Sequence, residues 1–149
     1  MHYNVFIAGH VYSELVSNDN SNTQKFNQFK DNNSLTVHSV DSLNDIDEPP
    51  LSLHKGEQET IALFYHCKNN YGTNVFIVID DKKGAQYCKR NDIPFINALL
   101  VPKILFYKNV ISEFKYMETF RALKHIGRYS DHILSSADSF TEQELSFFM

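Results

Sequence analysis

The sequence predicts the α/β class, with a mostly parallel sheet flanked by helices. Three observations carry that prediction. Val75-Phe76-Ile77-Val78-Ile79 is a continuous β-branched and aromatic run, the pattern of a central parallel strand covered on both faces. Ile61, Phe64, Tyr65 and Lys68 follow Glu57 at spacings of 4, 7, 8 and 11, one stripe of an amphipathic helix over roughly 56–69. Strand-like and helix-like segments alternate along the chain, as βα units do.

The elements follow in order. Tyr3–Ala8 reads as a short strand and Val11–Val16 as a helix. The Asn-rich stretch Ser17–Thr23 favours turn or capping geometry. Phe26 and Phe29, three apart, suggest a second short helix with Lys25 and Lys30 facing out. Leu35–Val40 has strand propensity. Asp41–Pro50 is acidic, ends in two prolines and reads as a surface loop or at most one broken helical turn. Asn69, Asn70 and Gly72 stop the amphipathic helix. After Val75–Ile79 come a helix over about 84–90, a short strand marked by Pro94 and Phe95, and helices over 99–108 and 113–126. Ser112 is placed to cap the last of these, with Phe114, Met117, Phe120 and Leu123 as its apolar side. Thr141 and Glu144 have capping-box spacing before a final short helix.

A chain of 149 residues suits one domain and can bury a core without disulfide or metal staples. Cys67 and Cys88 are too few for a disulfide framework or a zinc site and read as buried or idle thiols in a reducing cytosol. No apolar run approaches the length of a membrane span, and the first residues lack signal-peptide character. A cytoplasmic protein without membrane association is expected. The net charge is −4, but its distribution is uneven. Residues 1–81 carry −7, residues 82–128 carry +7 and residues 129–149 carry −4. A basic middle can bring a polyanion beside carboxylates, or it can simply solvate several helices.

Three acidic clusters stand out: Glu14, Glu57 with Glu59, and Asp80 with Asp81. The last stands at the carboxyl end of the buried strand, where open parallel sheets bind ligands. Adjacent carboxylates there repel, and a hard cation with oxygen ligands would offset that repulsion. Equally, Asp81 could cap the following helix. Glu57 and Glu59 suit the first turn of a helix for dipole reasons alone. A single glutamate such as Glu14 is most often only solvated. The seven histidines have no zinc-helix spacing, and a nucleophile elbow and a Gly-rich phosphate loop are both absent.

In order, Val11-x-x-Glu14-Leu15, then Gly56-Glu57-x-Glu59-x-Ile61-Ala62-Leu63, then Val78-Ile79-Asp80-Asp81 before Gly84-Ala85 resembles the PIN-domain family. The likeness is greatest to bacterial and archaeal members related to toxins of toxin–antitoxin modules. It runs through about residue 110, within a single domain spanning 1–149, and 111–149 reads as a C-terminal helical extension. The resemblance implies a PIN-like three-layer fold and cleavage of RNA with Mg²⁺ or Mn²⁺. It implies Glu14, Glu57 and Asp81 as catalytic residues, and Glu14, Glu57, Asp80 and Asp81 as metal ligands. Lys82, Lys83, Lys89 and Arg90 would hold the RNA backbone. An antitoxin protein and a second copy of the chain are the further partners it suggests. The family pattern opens with a strand carrying an aspartate, whereas no Asp or Glu precedes Glu14 here. The expectation is therefore a PIN-like chain lacking that strand and that ligand, with lower cation affinity. The alternative expectation is a catalytically inactive module that binds RNA or a protein.

Overall fold

The computed structural model describes residues 3–17, 21–39, 52–72, 74–127 and 129–149. The acidic loop predicted over 41–50 lies outside them. The chain forms two compact units, Met1–Val75 and Phe76–Met149.

The first unit runs β1 (Phe6–Ala8), α1 (Gly9–Val16), α2 (Ser21–Asp31), β2 (Thr36–His38) and α3 (Lys55–Tyr71). β1 and β2 are parallel, with Phe6 opposite Thr36 and Ala8 opposite His38. The parallel pairing requires a crossover, which α1 and α2 supply. Ala8, Ala62, Leu63 and Cys67 form one buried cluster. Of the stripe read from the sequence, Ile61 and Phe64 are buried, Tyr65 is half-buried and Lys68 is exposed, while Ala62, Leu63 and Cys67 are buried outside it, so the buried side of α3 is broader than the periodicity predicts. The helix α1 follows its strand with no capping side chain of its own at Ala8.

The second unit runs β3 (Ile77–Val78), α4 (Lys82–Arg90), β4 (Phe95–Ile96), α5 (Leu100–Tyr107), α6 (Glu113–Ile126) and α7 (Asp131–Ser139). A 3₁₀ turn over Ser146–Phe148 closes it. β3 and β4 are parallel, with Ile77 opposite Phe95 and Val78 opposite Ile96. The backbone amide of Ile79 extends the ladder by donating to Ile96 O at 2.9 Å. Ile96, Leu99, Leu100, Ile104, Phe120 and Leu145 make the core of this unit. The mixed α/β class and the parallel pairing agree with the sequence.

Three further details differ from the sequence reading. The run Val75–Ile79 is not covered on both faces: Val78 is 48% exposed, and among the described residues β3 pairs with β4 alone. The apolar side assigned to α6 is half wrong. Phe114 is 80% and Met117 39% exposed, and the buried side is Phe120 flanked by Tyr116 and Leu123. The helix α7 escaped notice, although Ser130 caps it by accepting from the Ile133 amide at 3.4 Å. The Thr141–Glu144 capping box forms as read, with the Thr141 amide donating to Glu144 Oε2 at 2.8 Å, and the short helix after it is the 3₁₀ helix Ser146–Phe148.

Three helix ends close with a non-glycine residue in the left-handed region: Asn33 (φ 56°), Asp92 (φ 52°) and Asn109 (φ 56°). Short polar side chains tolerate that conformation best after glycine. The same closing hydrogen bond follows each of them, from Ser34 to Phe29 O, Ile93 to Cys88 O and Val110 to Leu105 O.

Candidate active site

The acidic residues of the first unit are built around the amino ends of α1 and α3. Glu14 lies on α1 with its side chain 65% exposed and its Oε1 3.4 Å from His10 Nε2. Gly56, in the first turn of α3, lets α1 approach. A Cβ there would sit 3.0 Å from Val11 Cγ2 and 3.8 Å from Glu14 Oε2. Glu14 and the Gly56-Glu57 turn are therefore neighbours. Glu57 accepts the His54 amide at 3.0 Å through Oε2, which is a capping role. Glu59 points into the unit instead. It is buried, and its Oε2 accepts the His10 amide at 2.8 Å. It thus satisfies one of the orphan N–H groups at the start of α1, the cap that Ala8 cannot supply.

In the second unit Asp80 and Asp81 stand at the carboxyl end of β3, both exposed. The adjacent carboxylates have different partners. Asp81 is the N-cap of α4, and its Oδ2 accepts from the Gly84 amide at 2.9 Å. Gly84 packs so close to Ile79 that a Cβ there would overlap the Ile79 side chain. Asp80 caps no helix. Its Oδ1 accepts from the Ala98 amide at 2.9 Å and its Oδ2 from the Tyr129 hydroxyl at 2.8 Å. Burial, then the bond to Asp80, pushes the Tyr129 phenol up to about 12, so the hydroxyl remains a donor. Asn97, just before Ala98, has a buried side-chain oxygen with no partner among the described residues.

Lys82, Lys83, Lys89 and Arg90 are all exposed on α4. A separation of seven residues is nearly two turns, so Lys82 shares a face with Lys89, and Lys83 with Arg90. Lys89 and Arg90 suit the negative end of the helix dipole, which is a sufficient structural reason for them. Lys82 and Lys83 sit at the positive end, where the dipole disfavours cations. Their presence has no such local explanation.

The carboxylate oxygens are of the right kind for a hard cation. Within neither unit do three His, Cys, Asp or Glu side chains among the described residues gather closely enough to hold a metal. Mg²⁺ keeps several waters and needs only one or two carboxylates, so the adjacent Asp80 and Asp81 could serve a water-rich site.

Sequence reasoning missed Tyr129 and Asn97. For Tyr129 the signal was Gly127 just after a helix, and for Asn97 it was a polar residue at the end of a strand. No helix among the described residues is long and apolar enough to cross a membrane.

No curated protein and no solved structure matches the chain. A family model described as a PIN domain (DUF3368) matches residues 1–137, from β1 through most of α7. PIN domains form a nuclease-like family and generally use divalent metals. With the match covering most of its length, the chain belongs to the PIN-domain family.

Proposed function

We propose that this chain is a divalent-metal-dependent endoribonuclease of the PIN type, using Mg²⁺ or Mn²⁺ in the cytoplasm. The observation that carries the proposal is Asp80. In a PIN-family chain it is an exposed strand-end carboxylate that caps no helix yet accepts a hydrogen bond on each oxygen. Asp80 and Asp81 in the second unit, and separately Glu14 and Glu57 in the first, are the residues that would hold a divalent ion, directly or through water. A bound divalent ion lowers the pKa of a water and offsets charge on the phosphate. Asp81 in the second unit, and Glu14 and Glu57 in the first, are the residues that would orient such a water and accept its proton. Lys82, Lys83, Lys89 and Arg90 hold the RNA backbone, which makes binding weaken as salt rises. A toxin role follows from the likeness to toxin-type members. It requires an antitoxin protein that suppresses cleavage when co-expressed, and a homodimer suits the same branch.

Two conservative variants test the activity. Asp81→Asn and Glu57→Gln keep an acceptor for the Gly84 and His54 amides, so both preserve the helix caps while removing a charge. Single-stranded RNA is expected to be cut by the wild type in Mn²⁺ and left whole by either variant. Intact RNA with the wild type would favour the second reading, a PIN-like module that binds RNA or a protein without cutting. That reading draws on the capping roles of Glu57 and Asp81 and on the lack of a three-ligand group within either unit among the described residues.

A further inference from the structure

An exposed carboxylate ordinarily rotates, because its terminal torsion is broad and nearly two-fold. Asp80 is exposed, yet its rotation is fixed by two donors brought from far along the chain. The Ala98 amide lies 18 residues away, in the turn between β4 and α5, and the Tyr129 hydroxyl lies 49 residues away, beyond the end of α6. A carboxylate offers about four acceptor sites. Two are taken here, one on each oxygen, and the other two are left in a defined direction. Asp81, next to it, is held on one oxygen by its own helix.

The approach of Tyr129 has its own provision. α6 ends at Ile126, and the Gly127 amide closes onto Leu123 O at 2.8 Å. Gly127 has an ordinary extended backbone, φ −76° and ψ 150°, so conformational freedom does not explain a glycine there. Space does. A Cβ on Gly127 would overlap the Tyr129 ring, with Cδ2, Cε2 and Cζ all in its way. The missing side chain lets the ring lie over the end of α6 with its hydroxyl on Asp80.

We propose that Tyr129 is a positioning residue for Asp80, seated by Gly127, whose hydroxyl sets which carboxylate lone pairs face a bound divalent ion. The inference rests on the metal-site reading of Asp80. Groups that orient a metal-holding carboxylate typically change metal affinity ten- to hundredfold when removed.

The test measures Mn²⁺ binding to the full chain by the spin-resonance signal of the free ion, well below the melting temperature of every protein compared. A loss of stability alone then leaves the affinity unchanged. Tyr129→Phe keeps the ring and removes the hydroxyl. Its Mn²⁺ affinity is expected to fall roughly tenfold or more. Gly127→Ala keeps the hydroxyl and displaces the ring, and is expected to lower the affinity in the same direction. If the wild type binds Mn²⁺ and Tyr129→Phe binds it equally tightly, the positioning role is overturned while the metal site stands. If the wild type does not bind Mn²⁺, the metal-site reading fails and this inference fails with it.

Discussion

Each of the two units buries one charged side chain among its described residues, and the two serve opposite helix ends. In the first unit Glu59, 8% exposed, accepts from the His10 amide at the amino end of α1. In the second, Lys103, 6% exposed, donates to the Ala137 and Asp138 carbonyls at 2.9 and 2.8 Å, at the carboxyl end of α7. A negative charge meets the positive end of a dipole, and a positive charge meets the negative end. Burial pushes the Lys103 amine down, while Asp138 and Glu144 act the other way. The comparison teaches that burial of a charge marks a helix end in this chain. Of the carboxylates offered for chemistry, Asp80, Asp81 and Glu14 are exposed and Glu57 is half-buried.

The largest effect should come from Lys103. Lys103→Met fills similar space but leaves two carbonyls without their donor, and should lower unfolding stability by on the order of 3 kcal/mol. Urea denaturation reads this directly. A Met variant as stable as the wild type would show that α7 does not depend on the buried amine. Glu59→Ala comes next, at about 1–2 kcal/mol for a lost cap. Glu59→Gln keeps an acceptor for the His10 amide and should fall between the two proteins. If Gln is as costly as Ala, charge rather than hydrogen bonding is what α1 needs.

A pH titration separates the units further. His38, on β2, has its pKa lowered from 6.5, first by burial and then by the neighbouring His66. The unfolded chain therefore takes up this proton at a higher pH than the folded chain does. Stability contributed by neutral His38 is present above 6.5 and is lost as the pH falls through the lower folded value. Melting curves across this window should show the slope, and His38→Phe should flatten it. An unchanged slope in that variant would assign the acid sensitivity elsewhere. The smallest effect is at Phe114. Being 80% exposed, its replacement by Ser should change stability by no more than about 0.5 kcal/mol. A loss of several times that size would mean the exposed side of α6 is covered in solution.

Much of this was legible in the sequence. The motif order around Glu14, Glu57 and Asp80-Asp81 pointed to the PIN family, and the family match bears that out. The span of α6, the caps at Ser112 and Asp81, and the Thr141–Glu144 box were readable too. Each of those caps closes within three residues, so adjacent residue types encode it. The sequence by itself also determined that carboxylates end a strand and that cations follow on the next helix.

Only the tertiary structure decided what each carboxylate does. From the sequence, Glu57 and Glu59 are equivalent first-turn residues. In the fold one caps its own helix and the other caps α1, 49 residues away. Asp80 looks like half of a turn until Ala98 and Tyr129 arrive from 18 and 49 residues away. The buried side of α6 was decided the same way, because periodicity shows that a helix has two apolar sides but not which one meets the core. Such contacts depend on which elements pack together, and that is settled by the burial of the whole unit rather than by neighbouring residues.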